Sequence, residues 1–333
     1  MTTTNPEVSV IIPVKNGEEY IQRIADYLIR QSFTDYEVLF VISSKSSDSS
    51  LDVANKVSKT IPNSSVLLYN DVDGLGGSKN YGMDHASGKY YWFLDVDDSP
   101  SLDYMQDMVE IAKNNSANVV ACNFIYGGDM SEFKENEGSW KVNVMDGLSA
   151  LRLRVTERFP VASWSMLYES KTLIDNGIRF MNGMAEDIAF THQSLLCSNT
   201  VCYYEKPLYK YYLNPKSFCN NPVSRDARGF AEIEKYDFLE DYIADIDTSG
   251  FFRKRFTLLR MRSAGHMSYN EFQKYANGDE IISMMKRNSC VQVRFEGFVV
   301  RHLTIIYYNL ERAFFRVFFY RPGRTYTRAK RVR

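Results

Sequence analysis

Asp95, Asp97 and Asp98 place three carboxylates within four residues, in the segment Phe93-Leu94-Asp95-Val96-Asp97-Asp98. Like charges this close repel one another, which is costly unless a cation neutralises them. If the segment ends a β-strand, Asp95 and Asp97 point to the same side. An all-oxygen donor set of this kind suits Mg²⁺ or Mn²⁺, with water and substrate phosphates completing the coordination. The alternative reading is an exposed acidic turn ahead of a helix that begins near Ser101. A second acidic pair, Glu186-Asp187, lies in Met184-Ala185-Glu186-Asp187-Ile188-Ala189-Phe190. Taken alone, it reads as a solvated helix N-terminus, where acids complement the helix dipole. The five cysteines (122, 197, 202, 219, 290) form no CxxC pair and leave one over. Neither a disulfide framework nor a zinc site is expected from them, and a reducing compartment is.

The elements around these residues follow a regular alternation. Val8–Val14, Val38–Ile42, Val66–Tyr69 and Tyr90–Leu94 are short, nearly continuous apolar runs rich in β-branched and aromatic residues. Between them, Glu18–Gln31, the stretch from Leu51 to Val57, and Leu75–Ala86 show helical spacing. Strands apolar on both faces, separated by helices, predict a parallel sheet covered on both sides. Ligands of such sheets bind beyond the carboxyl ends of the strands, and the polar residues gather there: Asn16, Ser43-Ser44, Asp71 with Asp73, and the Asp95 segment. Beyond residue 125 the pattern is mixed, with a loop at 127–139 followed by helices and short strands. From Arg225 onward it reads as helical.

Three segments in this order resemble the family 2 glycosyltransferases, inverting enzymes of the GT-A fold that use nucleotide-diphosphate sugars. Val10-Ile11-Ile12-Pro13-Val14-Lys15-Asn16-Gly17 is similar to the family's opening strand and turn. Gly74-Leu75-Gly76-Gly77-Ser78-Lys79-Asn80-Tyr81-Gly82 resembles the segment where the family usually carries Ala-Arg-Asn. Gly88 to Asp98 resembles the strand that leads to its DxD motif. The resemblance runs from about Val8 to about Ser217. It implies an α/β fold: a Rossmann-like, mostly parallel sheet with helices on both faces, plus a helical C-terminal extension. It also implies a GT-A domain over residues 1–222, with a donor half to about 125 and an acceptor half over 126–222, followed by a helical region over 223–333.

The resemblance assigns roles residue by residue. Asp95 and Asp97 become ligands of Mg²⁺ or Mn²⁺, and Asp187 becomes the base that takes the acceptor's proton, with Glu186 as its companion or an acceptor contact. Pro13, Val14, Asn16, Ser43, Ser44, Lys79 and Asp95 line the donor. Lys79 stands where the family usually has arginine, and would bring a point charge to the diphosphate without a bidentate fork. Trp164 could stack on an acceptor sugar or pack in the core. His192 and Lys216 have no assigned role, and a lone histidine is more often structural. One departure affects the nucleotide. Where the family usually has Asp-Asp-Gly-Ser-Thr-Asp, this chain has Ser43-Ser44-Lys45-Ser46-Ser47-Asp48. A UDP-sugar is the first expectation for the donor, but the base is left open. So is an alternative in which the chain is a non-catalytic, membrane-associated homologue. Sugar-1-phosphate nucleotidyl transfer would want a glycine-rich basic loop after the first strand, and Lys15-Asn16-Gly17-Glu18-Glu19 is not one.

Charge is unevenly placed. The 40 Lys+Arg and 41 Asp+Glu sum to −1, but residues 294–333 hold ten basic and two acidic residues, +8, so residues 1–293 carry −9. Projected as a helix, Arg294, Arg301, Arg312 and Arg316 fall within about 60° of one another. Val300, Leu303, Leu310, Phe314 and Val317 are then expected opposite them, and a polybasic tail follows Pro322-Gly323. This pattern suits an anionic membrane surface; the other reading packs the apolar face on the catalytic domain or on a second subunit. The N-terminus lacks a secretory pattern, and no stretch is long and apolar enough to span a bilayer. The expectation is a cytoplasmic protein, peripheral on the inner face of the membrane, with a saccharide or lipid-linked acceptor, no nucleic-acid partner, and a homo-oligomer left open.

Overall fold

The computed structural model describes residues 5–127, 131, 133, 138–160, 162–214, 225–278, 281, 291–303 and 305–310. Seven consecutive buried residues form β1 (Val8–Val14). Helix α1 (Glu18–Ile29) follows, then β2 (Tyr36–Ser43), α2 (Ser50–Val57), β3 (Ser64–Tyr69), α3 (Gly74–His85) and β4 (Tyr90–Phe93). These four strands are parallel and lie in the order β3-β2-β1-β4.

Past β4 the sheet changes character. The short β5 (Ser99–Pro100) leads to α4 (Tyr104–Asn115), β6 (Val119–Gly127), β7 (Val142–Met145), α5 (Gly147–Val155), β8 (Met166–Glu169) and α6 (Ser170–Asp175). Then come α7 (Glu186–Leu196) and the long β9 (Val201–Tyr212). β8 pairs antiparallel with both β4 and β6, and β9 runs parallel to β6, with β5 and β7 antiparallel to it. Neither β6, which straddles the point near residue 125 where the pattern becomes mixed, nor β9 stands out in the sequence, because their alternation is broken by Asn123 and by the Glu205-Lys206-Pro207 stretch, where the pairing register shifts.

The sheet divides the core in two. Val8, Val10, Ile12 and Val14 face α1, α2 and α4, whereas Ile11 faces the side covered by α3, α5, α6 and α7. Strands buried on both faces explain the continuous apolar runs. Helix α3 lies close against β1: a Cβ on Gly82 would come within 2.4 Å of Ile11 Cγ2, and one on Gly76 within 2.3 Å of the Met181 carbonyl oxygen. Larger residues there would push Lys79 out of place.

The C-terminal helices are α8 (Arg225–Tyr242), α9 (Phe251–Gly265), α10 (Tyr269–Asn277) and a helix over Val291–His302. They share a core with the sheet domain, since Tyr236, Leu239 and Phe256 pack with Leu151 and Val155 of α5 and Ile188 of α7. The helix Val291–His302 does not present the apolar face expected for it. Val293 and Val300 turn inward, whereas Val291, Phe295 and Phe298 are exposed beside Arg294. Packing on α9 and α10 buries Val300 of the expected apolar face, whereas Leu303 and Leu310 of that face are exposed. Arg312, Arg316, Phe314, Val317, the tail after Pro322 and Lys216 lie outside the described residues. Among the described residues, no helix is long and apolar enough to cross a membrane.

Candidate functional site

At the carboxyl end of β1, Pro13 and Val14 are buried and the chain turns at Asn16, which adopts a left-handed φ of 51°. Asn16 Oδ1 accepts from the Ser47 amide at 2.8 Å, and the Gly17 amide donates to Ser50 Oγ at 2.9 Å. Asp48 Oδ2 accepts from the Glu18 amide at 3.0 Å. These bonds tie the turn after β1 to the polar loop after β2. Ser43 is buried and Ser44 exposed. Asp48, the residue of that loop that keeps the family's acid, therefore holds backbone.

The carboxylate near Ser43 comes from another strand. Asp71, just past β3 and also left-handed at φ 53°, accepts through Oδ2 from Ser43 Oγ at 2.8 Å and from Lys15 Nζ at 2.7 Å. Lys45 Nζ donates to the Asp71 carbonyl at 2.6 Å. Burial raises the Asp71 carboxyl, but the hydrogen bonds from Lys15 and Ser43 and the charges of Lys15 and Lys45 outweigh it and hold the carboxyl below the usual range.

Beyond β4, Asp95 and Asp97 are partly buried and Asp98 is fully buried. The end of β9 closes over them. The Tyr212 amide donates to Asp98 Oδ1 at 2.7 Å, and Asn214 Nδ2 donates to Asp97 Oδ2 at 2.9 Å and to the Tyr20 hydroxyl at 3.2 Å. Arg23 Nη2 donates to the Asp97 carbonyl at 2.5 Å. Among the described residues, no cation lies within ion-pair distance of Asp95 or Asp97. Burial pushes the Asp95 carboxyl up to about 7 against the pull of Lys79, with Asp97, Asp187 and Glu186 adding to the rise. Asp98 is raised well above its ordinary value by burial and by the same two neighbours, Asp97 and Asp95.

The second acidic pair opens α7. Ala185, at φ 55°, turns the chain so that Glu186 and Asp187 occupy the helix's first turn. They are not a solvated helix end: their side chains are only 9% and 21% exposed. Lys79 Nζ, on α3, donates to Glu186 Oε1 at 2.8 Å, to Asp187 Oδ1 at 3.0 Å and to Ser163 Oγ at 3.0 Å. Its charge lies 4.9 Å from the Phe180 ring centroid. Lys79 therefore does not stand as expected. Its three donors are taken by the acidic pair and Ser163, and at 1% exposure it presents no donor to a diphosphate. Burial opposes its charge, but the carboxylates of Asp187, Glu186 and Asp95 outweigh burial and raise it. For Glu186 the balance goes the other way: burial outweighs Lys79, and its carboxyl is raised. One buried cation thus offsets about one of the two acids.

Trp164 also stands otherwise than the acceptor reading required. Its ring is 6% exposed, stacked on Tyr209 and Tyr211 with centroids 4.4 and 5.4 Å away and edge-on to Phe124. Its carbonyl accepts from Trp92 Nε1 at 3.0 Å and Tyr104 Oη at 3.1 Å. Core packing leaves no ring face for a sugar. His192 is buried, with Nδ1 on the Ile188 carbonyl at 2.6 Å, and burial and the nearby Arg154 push its pKa down to about 3. It has no path to a diphosphate. Ser163, Asp71, Lys45 and Asn214 are the site residues that sequence reasoning missed. Only Asp71, as a polar residue at a strand end, left a signal.

The donor set at Asp95 and Asp97 fits a hard divalent cation of the kind that takes one or two carboxylates. Burial and the neighbouring acids raise the Asp95 carboxyl despite Lys79, a strain on its ionised form that a bound cation would relieve. Among the described residues, no three His, Cys, Asp or Glu side chains converge into a cage, so phosphate and water oxygens would have to complete the shell.

Comparison with known proteins gives a consistent answer. Residues 9–171 match the sequence model of glycosyl transferase family 2. The uncharacterized glycosyltransferase YibD of Escherichia coli is 28% identical over 68% of this chain and 65% of its own length. The putative glycosyltransferase EpsH of Bacillus subtilis is 25% identical over 73% of this chain and 74% of its own length. The match to YibD thus spans just under two thirds of that relative. Among solved structures, S. aureus TarS 1–349 in complex with UDP-GlcNAc superposes with a TM-score of 0.61 at 18% identity, covering 95% of this chain and 93% of that one. The mannosyltransferase PcManGT from Pyrobaculum calidifontis, in complex with GDP-Man and Mn²⁺, gives 0.54 at 14% identity over 93% and 87%. These likenesses show the GT-A fold.

Proposed function

Because residues 9–171 match the model of glycosyl transferase family 2, we propose that the chain transfers a sugar, with inversion, from a nucleotide-diphosphate sugar to a hydroxyl of a saccharide or lipid-linked acceptor in polysaccharide synthesis. The observation that carries this reading is Lys79. It bonds Asp187, and its charge bears on Asp95, so two acidic segments some ninety residues apart share one crevice at the carboxyl end of the sheet.

In this reading Asp187 accepts the acceptor's hydroxyl proton as that oxygen attacks the anomeric carbon from the side opposite the diphosphate, a single displacement that inverts the centre. Lys79 and Ser163 hold the pair in place, with Glu186 the more deeply buried member. Asp95 and Asp97 would hold Mg²⁺ or Mn²⁺, which when bound supplies positive charge for the departing diphosphate. Pro13, Val14, Asn16, Ser43 and Ser44 border the donor's nucleoside. EpsH and TarS, relatives by sequence, support a place in polysaccharide synthesis. TarS is described as a poly(ribitol-phosphate) beta-N-acetylglucosaminyltransferase.

A panel of nucleotide sugars with Mn²⁺ tests the reading: at least one should be turned over. Asp187→Asn should lower turnover by about 10²–10⁴-fold, the usual share of a general base, while donor affinity stays within about threefold. No turnover and no binding of any donor by the folded protein would refute the function; a matching loss of donor binding in Asp187→Asn would refute the base.

Peripheral contact with an anionic membrane is part of the proposal. It is supported by the exposed Val291, Phe295 and Phe298 beside Arg294 and by the +8 charge of residues 294–333. Phe295→Ser with Phe298→Ser should release the protein from vesicles containing phosphatidylserine, and unchanged co-sedimentation would rule out this face.

A further inference from the structure

Lys235, on α8, has a side chain only 1% exposed, yet it is weakly partnered for a buried cation. Its Nζ donates to the Asn182 carbonyl at 3.1 Å and to Glu234 Oε2 at 3.2 Å, and the Glu234 side chain is itself 65% exposed. Both bonds are longer than the 2.8 Å bond from Lys79 to Glu186. A methionine of similar length would fill the space without the cost of burying a charge. What the lysine adds is a hold on the Asn182 carbonyl, and Asn182 lies in the loop that carries the chain from α6 to the acidic pair of α7. On one side this loop rests on α3. Asn80 Nδ2 donates to the Phe180 carbonyl at 2.9 Å, and Asn80 Oδ1 accepts from the Phe180 amide at 2.9 Å. Asn182 Nδ2 donates to Asp73 Oδ1 at 2.8 Å. On the other side lies α8, where Tyr236 and Leu239 share a cluster with Ile188, and Ala185 packs against it. Between these anchors the chain turns through Gly183 at φ 85° and Ala185 at φ 55°, and Glu186 and Asp187 follow at once.

We propose that Lys235 is a positioning residue for the transfer: by holding the Asn182 carbonyl, it fixes the loop that presents Asp187 to the acceptor. This rests on the transferase reading above and deepens it, because it makes the C-terminal helices part of what aims the base. Lys235 touches no reacting atom and acts only through the loop. Its bonds go to Asn182 and Glu234 and to none of the residues that border the donor. A proton acceptor displaced by about 1 Å slows a reaction by as much as about 10²-fold, because the attack geometry is lost. Removing Lys235 therefore acts on the chemical step and leaves the donor's binding contacts as they are.

Steady-state kinetics of the whole chain, with Mn²⁺ and a nucleotide sugar that the wild type turns over, test the inference. Lys235→Met should lower kcat about 10- to 10²-fold, with the donor KM within about threefold of wild type. Its urea midpoint should not fall, because the charge removed is buried and weakly paired. Lys235→Arg, which keeps a cationic donor, should recover most of the lost kcat. A lysine that serves packing alone would show the converse, a lower urea midpoint with kcat per folded molecule unchanged, and that result overturns the proposal. Should Lys235→Met prove unfolded by near-ultraviolet circular dichroism, Gly183→Ala serves instead. The added Cβ meets nothing within 4 Å, but the left-handed φ of 85° strains it, so the loop shifts while the core stays as it is. There kcat should fall about tenfold at a donor KM within about threefold of wild type. Unchanged kcat in the variant used, a loss confined to the donor KM, or a Lys235→Arg as slow as Lys235→Met overturns the positioning role and leaves the transferase standing. Failure of the folded wild-type chain to bind or turn over any nucleotide sugar overturns the transferase reading itself.

Discussion

Two acidic clusters lie near enough to feel each other's charge, and they differ in what balances them. Glu186 and Asp187 are held by a fully buried lysine that spends its three donors on them and on Ser163. Asp97 accepts from the Asn214 amide and Asp98 from the Tyr212 backbone, but among the described residues none of Asp95, Asp97 and Asp98 has an ion-paired cation, and Asp95 and Asp98 are both pushed upward. The first cluster has its counter-charge within the protein, one cation shared between two acids. The second feels the charge of Lys79 but pairs with no cation among the described residues.

Removing the internal cation is the most damaging way to test this contrast. Lys79→Met leaves two buried acids without their partner, and breaking a buried pair in this way costs about 3–5 kcal/mol. Urea denaturation should show that loss, and Lys79→Arg, which keeps the charge, should recover at least half of it. A loss below about 1 kcal/mol for Lys79→Met would mean that Lys79 is not the balancing charge, because that is the range of exposed pairs.

How much of this was legible in the sequence follows from the range of the interactions. β1 to β4 could be read because each is buried on both faces and so carries a continuous apolar run. Asp95 and Asp97 drew attention because three acids crowd the end of an apolar run, whereas Glu186 and Asp187 read alone as a helix N-terminus and were singled out only through the family resemblance. The bond from Lys79 to Glu186 spans 107 positions and the one from Asn214 to Asp97 spans 117. Neither leaves a local pattern, so Lys79 was read as a phosphate ligand and Asn214 was passed over. Trp164 carried no sign of which side of the chain faces the sheet, and stacking on β9, itself not read as a strand, decided it. The apolar residues of Val291–His302 surround much of the helix, so periodicity alone could not select the face that α9 and α10 bury.

Helix α7 sharpens the contrast from another side, for it also carries a buried group without a counter-ion. His192 is pushed down to about 3 by burial and by Arg154, and its ring is near Tyr236 and Phe256. In the unfolded chain it titrates near 6.5, so above that pH both states are neutral and the residue imposes no penalty. As pH falls from 6.5 toward 3, the unfolded state takes up a proton that the folded state refuses. Stability is then lost at about 1.4 kcal/mol per pH unit. Carboxylates titrate in the same window, so the measurement is a difference: His192→Asn, compared with wild type at pH 7.5 and 5.0, should lose about 2 kcal/mol less over that interval. Equal losses in both proteins would mean that His192 gains a partner in acid.

The smallest effect expected has the opposite sign, and the sign is what separates the two clusters. Asp95→Asn removes a buried charge that Lys79 only partly balances, so the metal-free variant should be more stable than wild type at pH 7.5 by about 1 kcal/mol, where Lys79→Met is less stable. Linkage points the same way: a carboxyl raised to about 7 in the fold takes up a proton that the unfolded chain releases near 3.8, so ionised Asp95 weakens the fold as pH rises through that interval. Adding Mn²⁺ with UDP should then reverse the order. Wild type gains stability from a ligand that binds only the folded state, and the variant, with one donor oxygen gone, gains little. A destabilised metal-free Asp95→Asn would show that Lys79 and its surroundings already balance Asp95, and that the strand end needs no bound cation.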